Sequence, residues 1–200
     1  MIDQPVVPFL GLTGGMGAGK STALAVLESL GAAVLSTDAV VHELYGGGQV
    51  RDAVVERWGE QVAPAGIVDR AAVAAKAFED PQERQWLEDL LWPLVGQRIA
   101  EWLQRARAAT PPPRAAIVEV PLLFEAGMGE MFDATIAVLA AEDLRRERAA
   151  GRGHALADER VARQLSQEEK AGRATFAVYN DGSEEELVAK LSAILDKLGG

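Results

Sequence analysis

The sequence predicts an α/β fold with a mostly parallel β-sheet. Short apolar segments alternate along the chain with longer segments, and the first apolar segment runs directly into a glycine-rich stretch. Parallel strands are joined by long crossover connections, usually helices, so this alternation is typical of a parallel sheet flanked by helices. The 200 residues, 48% of them hydrophobic, are enough to bury a substantial core.

Five apolar segments are the predicted strands, and the intervals between them are long enough for crossover helices. The segments span residues 9–12, 32–35, 116–120, 135–139 and 176–179. The chain ends in a predicted helix, because Ser183 and Glu186 have the spacing of a capping box. An apolar stripe at helical spacing follows, made of Leu187, Leu191, Ile194 and Leu198.

Two intervals are too long for a simple crossover. Residues 38–110 are predicted to form a mainly helical insertion over one side of the sheet. Glycines at 46–48 and residues 63–66 interrupt it, and prolines at 111–113 end it. Residues 142–172 form the second interval, which is charged and rich in arginine.

Composition excludes several classes of protein. The chain has no cysteine, which rules out disulfide scaffolds, thiol nucleophiles and cysteine-based metal sites. Residues 1–8 carry no basic cluster of a signal peptide, and we find no apolar run long enough to span a membrane. We therefore expect a cytoplasmic protein. The net charge of −10 argues against broad binding to nucleic acid or membrane surfaces. A small anionic ligand remains compatible with that charge if positive groups are concentrated at one site.

The glycine-rich stretch predicts a phosphate-binding loop. Residues 14–21 read GGMGAGKS and fit the P-loop pattern G-x-x-x-x-G-K-[ST], with an apolar strand before and an amphipathic helix after them. Glycines leave the backbone N–H groups open to phosphate oxygens, and the helix N-terminus adds partial positive charge. Lys20 can neutralise the β- and γ-phosphates, and Ser21 can supply an oxygen to Mg²⁺. The predicted nucleotide-binding residues are Gly14, Gly15, Gly17, Ala18, Gly19, Lys20, Ser21 and Thr22.

The loop predicts a P-loop NTPase core, and the alternative is a glycine-rich turn with an incidental lysine. A GTPase is disfavoured, because the guanine-binding N-K-x-D pattern is missing and the only asparagine is Asn180. The length and the two insertions favour a small-molecule kinase over a motor or a ring ATPase.

Two acids at the ends of predicted strands are candidates for the site. Asp38, after the second strand, could accept the proton of an acceptor hydroxyl or orient it, or it could simply begin the next helix. Glu119, in the third strand, stands where P-loop proteins place an acid that supports Mg²⁺, or it is an acid exposed at the sheet edge.

Arginine is concentrated in one part of the chain. Six of the fifteen arginines lie between residues 145 and 163, against three acids in that stretch. Such a segment suits a lid that closes over ATP, neutralises phosphoryl charge and excludes water. The alternative is a solvated helix face with ion pairs at i,i+4 spacing.

Motifs along nearly the whole chain resemble those of the dephospho-CoA kinases, which catalyse the last step of coenzyme A synthesis. The matching segments are residues 11–22 (GLTGGMGAGKST), residues 66–70 (GIVDR) with Phe78, residues 120–125 (VPLLFE), Arg148 and Arg152, residues 160–164 with Lys170, and residues 180–183 (NDGS). A sister kinase would share only the first of these.

The resemblance implies an enzyme that uses ATP and Mg²⁺ to phosphorylate the 3′-hydroxyl of dephospho-CoA. It implies Lys20, Asp38, Arg148 and Arg152 as catalytic residues, and Ser21 with Glu119 as the metal site. Residues 1–200 would then form one kinase domain, which we expect to be a monomer, with a weak homo-oligomer as the alternative. Its predicted parts are a nucleotide core (about 1–38, 114–141 and 173–200), a helical insertion that receives the acceptor (about 39–113) and a lid (about 142–172).

The chain departs from the family pattern at three places. Ser36 stands where the family has the first aspartate of D-x-D, Trp92 replaces the usual histidine before Pro93, and Thr175 replaces the aspartate before the fifth strand. Other readings are a P-loop kinase for another small molecule and a nucleotide-binding module without activity. Retention of Lys20, Ser21 and Asp38 argues against the second of these.

Overall fold

Five parallel strands form the central sheet of the protein. The computed structural model describes residues 6–150 and 164–199. The strands are β1 (Phe9–Gly14), β2 (Ala33–Ser36), β3 (Ala116–Glu119), β4 (Ala134–Leu139) and β5 (Phe176–Tyr179), in the order β2-β3-β1-β4-β5. The predicted fold class is confirmed, and each predicted strand lies within two residues of an observed one at either end.

Eight α-helices are described, and they occupy most of the remaining chain in residues 6–150 and 164–199. They are α1 (Lys20–Ser29), α2 (Thr37–Gly46), α3 (Gly48–Trp58), α4 (Arg70–Glu79), α5 (Pro81–Ala108), α6 (Glu142–Ala150), α7 (Gln167–Arg173) and α8 (Glu184–Leu198). Short 3₁₀ turns lie at Glu60–Val62, Pro64–Gly66 and Gly129–Met131. None of the helices in these ranges is both long and apolar enough to cross a membrane.

The main core lies between the sheet and helices α1 and α8. All six residues of β4 are buried, because a central parallel strand is covered on both faces. The Ser183 hydroxyl accepts a hydrogen bond from the Glu186 N–H at 3.3 Å, so the predicted start of the last helix is confirmed. Leu187, Leu191 and Ile194 of the predicted stripe are buried in this core, and Leu198 packs at its margin.

The chain divides into two compact units. The first consists of Met1–Ser36 with Leu103–Gly200 and holds the whole sheet. The second, Thr37–Trp102, contains α2, α3, α4 and most of α5, and it buries Val50, Val54 and Val73. Its helices break at the glycines that the sequence indicated, since α2 ends at Gly46 and α3 begins at Gly48.

An ion pair joins α3 to α5 within the second unit. The Arg57 guanidinium donates two hydrogen bonds to the Glu83 carboxylate, at 2.9 and 2.6 Å, and the Trp58 indole N–H donates a third at 2.6 Å. The guanidinium and then the indole hold the pKa of Glu83 below its ordinary value, because both favour the ionised carboxylate. The rings of Trp58 and Trp86 pack edge to face at 5.1 Å.

Candidate nucleotide-binding site

The predicted P-loop connects β1 directly to α1. β1 ends at Gly14, and α1 begins at Lys20. Gly17 and Gly19 have φ values of 74° and 92°, in the left-handed region that favours glycine. A Cβ at Gly17 would collide with the backbone carbonyl of Arg145, and a Cβ at Gly19 would collide with the side-chain amide of Asn180. Both positions therefore need glycine for their backbone angles and for the close approach of a neighbouring segment.

The first turn of α1 faces the loop with its backbone N–H groups. No side chain caps the helix at Gly19, so the N-terminus offers donors and partial positive charge to an anion. The Lys20 ammonium bends back over the loop and donates a hydrogen bond to the Gly15 carbonyl at 3.2 Å. This arrangement places a cation and a row of amide donors around the same short loop, which suits phosphate groups.

Asn180 joins the loop after β5 to the P-loop. Its backbone N–H donates to the Leu139 carbonyl at 2.8 Å, which extends the pairing of β5 with β4 by one residue. Its side-chain amide donates to the Ala18 carbonyl at 3.0 Å in a buried position. Sequence reasoning gave Asn180 no role in the site, although it stands in the NDGS motif.

The arginines of α6 divide between the two interpretations of this segment. Arg145 donates to the Met16 carbonyl at 3.0 Å, and Arg148 donates to the Asn180 carbonyl at 3.2 Å, so both lie against the P-loop region. Arg146 points away and is 71% exposed in an ion-pair cluster with Glu142 and Asp143. Arg152 lies outside the described residues, as do Arg160 and Arg163.

A cavity of about 280 Å³ opens beside the P-loop within the first unit. Its walls combine loop backbone, the cation of Arg148, the carboxylate of Glu184 and the apolar side chain of Leu187. Binding sites for small organic ligands combine apolar walls with a few polar groups in this way. The residues that line it include Gly17, Gly19, Thr22, Arg148, Asn180 and Leu187.

Two residues able to support a metal ion stand on elements connected to β1, one by the P-loop and the other by strand pairing. Ser21 is the second residue of α1, and Glu119 is the last residue of β3, which pairs with β1. Glu119 is only 8% exposed, so the alternative of a solvent-exposed edge acid is wrong. A hydroxyl and a carboxylate are the hard oxygen donors that Mg²⁺ prefers, and Mg²⁺ takes its other ligands from water and substrate phosphates. The donor set therefore fits Mg²⁺. Over residues 6–150 and 164–199, no cluster of three or more acidic or histidine side chains offers a competing metal site.

Asp38 belongs to the second unit. It is the second residue of α2, two positions after Ser36, the last residue of β2. A carboxylate in the first turn of a helix is favoured by the helix dipole, which accounts for an acid at this position whether or not it also takes part in chemistry.

The arginine-rich segment returns to the sheet through α7. The Gln167 side chain forms two hydrogen bonds with the backbone of Ala140, one to its N–H and one to its carbonyl, each 2.9 Å long. Ser166 caps α7 and forms a complete capping box with Glu169. The backbone N–H of Ser166, together with its side chain, lowers the pKa of Glu169. Sequence reasoning missed this cap, although its S-x-x-E pattern was available.

The similarity to known proteins covers most of the chain and not only the P-loop. The model of the family described as dephospho-CoA kinase matches residues 8–186. A dephospho-CoA kinase of Anaeromyxobacter dehalogenans is 39% identical over 196 residues, which cover 96% of this chain and 92% of that protein. A crystal structure from Thermus thermophilus has a TM-score of 0.80 and 34% identity, and the match covers 97% of this chain and 99% of that one. A dephospho-CoA kinase structure from Campylobacter jejuni shares the fold, with a TM-score of 0.65 and 20% identity over 96% of this chain and 97% of that one.

Proposed function

The chain belongs to the dephospho-CoA kinase family, and we propose that it transfers the γ-phosphoryl group of ATP to the 3′-hydroxyl of dephospho-CoA. The products are coenzyme A and ADP. The observation that carries this proposal is the family match over residues 8–186, which includes the P-loop and the segments after β3 and β5. A kinase for another small molecule would share the loop but not these other segments.

We assign the phosphates of ATP to the P-loop and the start of α1. The backbone amides of the loop and the Lys20 ammonium would hold the β- and γ-phosphates, and Thr22 lines the adjoining cavity. Ser21 would bind Mg²⁺ directly, and Glu119 would support it through water. When bound, Mg²⁺ neutralises charge on the β- and γ-phosphate oxygens. Oxygen donors at both positions support this assignment.

We propose that Asp38 interacts with the hydroxyl group of the acceptor. An aspartate that accepts or orients the hydroxyl proton prepares the oxygen for in-line attack on the γ-phosphorus. Support comes from the family match and from the place of Asp38 in the chain, directly after β2.

We propose that Arg148 and Arg152 stabilise the negative charge that develops on the transferred phosphoryl group. Arg148 lines the cavity beside the P-loop, and its guanidinium reaches the Asn180 carbonyl. Arg152 follows four residues later in the sequence, in the spacing of the family motif. Cations at this position stabilise the transition state and help to exclude water.

We propose that the segments of the chain have the roles expected from the sequence. Residues 1–38, 114–141 and 173–200 form the nucleotide core, residues 39–113 receive the CoA moiety, and residues 142–172 act as the lid. We further propose that the enzyme works as a cytoplasmic monomer without nucleic-acid or membrane partners. The net charge of −10 supports the absence of nucleic-acid and anionic-membrane partners, because it opposes binding to polyanions.

A coupled ADP-release assay with a panel of acceptors tests the proposal. We expect turnover with dephospho-CoA, and none above background with shikimate, gluconate or adenosine. Coenzyme A, identified by mass and by comparison with the authentic compound, should form in step with ADP. Equal turnover with another acceptor would overturn the proposal, and the Lys20→Ala variant provides the background rate.

A further inference from the structure

A lysine is buried completely in the first unit. Lys170 of α7 has 0% exposure and is the largest of the fully buried side chains in the described part of the chain. Its ammonium lies 2.9 Å from Oε1 of Glu125 and donates a hydrogen bond to the Pro121 carbonyl at 3.0 Å. The proposed chemistry uses neither member of this ion pair.

Stability alone does not explain such a pair. Removing two charges from water costs about as much as their attraction returns, and apolar residues of similar size often stabilise a fold equally well. What a buried ion pair provides is a fixed geometry, since each charge is held to its partner.

The Pro121 carbonyl links the pair to the entrance of the P-loop. It accepts a second hydrogen bond, from the Thr13 hydroxyl at 3.2 Å, and Thr13 directly precedes Gly14. Pro121 also lies two residues after Glu119, the proposed magnesium-supporting acid. One carbonyl oxygen thus connects Lys170 to the strand that enters the P-loop and to the segment that leaves Glu119.

Glu125 connects the same pair to the end of the arginine-rich interval. Its Oε1 also accepts a hydrogen bond, 2.8 Å long, from the backbone N–H of Leu165. Leu165 lies two residues before the start of α7. Oε2 of Glu125 is buried and has no hydrogen-bond partner among the described residues. Among the described residues, Lys170 is the cation that pairs with Glu125.

We infer that Lys170 is a positioning residue for phosphoryl transfer. Through the Pro121 carbonyl and Glu125, it fixes the segment 119–125 against β1 and so sets the position of Glu119 relative to Ser21. This inference rests on the proposed function for its role in catalysis. Binding of Mg²⁺ and ATP in the absence of acceptor tests it separately.

The test uses a double variant that removes the pair without leaving a buried charge. Lys170→Met alone should lower the Tm by about 10 °C, because it removes the ammonium that pairs with the buried Glu125 carboxylate. Lys170→Met with Glu125→Met should recover most of that Tm, since two apolar side chains then occupy the site. The double variant should still need about tenfold more Mg²⁺ to support ATP binding in calorimetry, and its kcat should fall by a similar factor.

Lys190→Met is the matched control. The Lys190 ammonium also donates to a backbone carbonyl, that of Tyr179 at 2.7 Å, but at the exposed surface. We expect this variant to keep the wild-type kcat and magnesium dependence. Recovery of Tm, kcat and magnesium dependence together in the double variant would show that the pair serves stability only, and would overturn the inference.

Thr13→Val is the second variant, for use if the double variant does not fold. It keeps the ion pair and removes only the hydroxyl donor to the Pro121 carbonyl. A raised magnesium requirement at unchanged Tm supports the inference, and unchanged magnesium dependence contradicts it. If wild-type enzyme fails to phosphorylate dephospho-CoA, the proposed acceptor is wrong, while the binding data still decide the role of Lys170.

Discussion

The side-chain amide of Asn180 donates a hydrogen bond to the backbone carbonyl of Ala18 at 3.0 Å, across 162 positions of sequence. The backbone carbonyl of the same asparagine accepts a hydrogen bond from the Arg148 guanidinium. One residue thus braces the P-loop and holds an arginine beside it. The shape of the loop and the position of that cation are therefore coupled.

Asn180→Asp should weaken ATP binding. The aspartate cannot donate to the Ala18 carbonyl and would place a negative charge against it, beside the bound phosphates. Loss of a buried hydrogen bond with such repulsion predicts a Kd for ATP raised about tenfold or more, measured by calorimetry. Asp181→Asn is the control, because the new side chain keeps an oxygen that can accept the Ala141 N–H, at 2.6 Å in the wild type. If Asn180→Asp bound ATP with wild-type affinity, the hydrogen bond from Asn180 to the Ala18 carbonyl would be dispensable for ATP binding.

Gly19→Ala should abolish nucleotide binding while the protein stays folded. The residue has a φ of 92°, and its Cβ would meet the Asn180 amide, so the loop must shift. Gly172→Ala is the control, because a Cβ there meets nothing within 4 Å and alanine favours the helix. We expect calorimetry to detect no ATP binding to the first variant and normal binding to the second. Normal binding by both would mean that the loop tolerates a Cβ at position 19.

Arg148→Ala should reduce kcat by about a hundredfold or more, because it removes the cation that we propose stabilises the transferred phosphoryl group. Arg146→Ala on the same helix is a matched control. Its exposed ion pairs contribute about 1 kcal/mol at most, so kcat and Tm should stay close to wild type. Steady-state kinetics on both variants test the division between site-facing and solvent-facing arginines. Similar losses in the two would contradict it.

Asp38→Asn should lower kcat by a factor of about 10² to 10⁴, the usual contribution of a general base. Binding of ATP should not change, since the P-loop of the first unit is intact. The measurement pairs ATP calorimetry with the rate of coenzyme A formation. If the variant binds ATP and keeps full activity, Asp38 does not act as the base, and its role is limited to the first turn of α2.

Glu83→Gln should remove part of the acid sensitivity of the protein. The Arg57 guanidinium lowers the pKa of Glu83 in the folded state, so the stabilisation is complete above the unfolded pKa and is lost as pH falls through the folded one. The wild type should therefore have the higher Tm near pH 7, and the difference from Glu83→Gln should shrink below about pH 4. Glu79→Gln, at an exposed pair with Lys76, is the control and should change Tm little. A Tm difference that stays constant from pH 7 to pH 3 would contradict this origin.

Local patterns predicted the strands and the P-loop well, because both depend on short stretches of sequence. Apolar runs identify buried strands, and the spacing of glycines, Lys20 and Ser21 identifies a loop that can hold phosphates. The same patterns did not separate Arg145 and Arg148 from Arg146. All three lie in one charged stretch, and only the rotation of α6 against the P-loop decides which of them face it.

The sequence by itself determined the fold class, the phosphate-binding loop and the family. Only the tertiary structure decided that Asn180 holds Ala18, that Glu119 is buried, and that Lys170 pairs with Glu125. The physical reason is the range of the interactions. Periodicity and motif spacing are set by neighbours along the chain, whereas a buried polar contact depends on which distant segments the packed sheet and helices bring together.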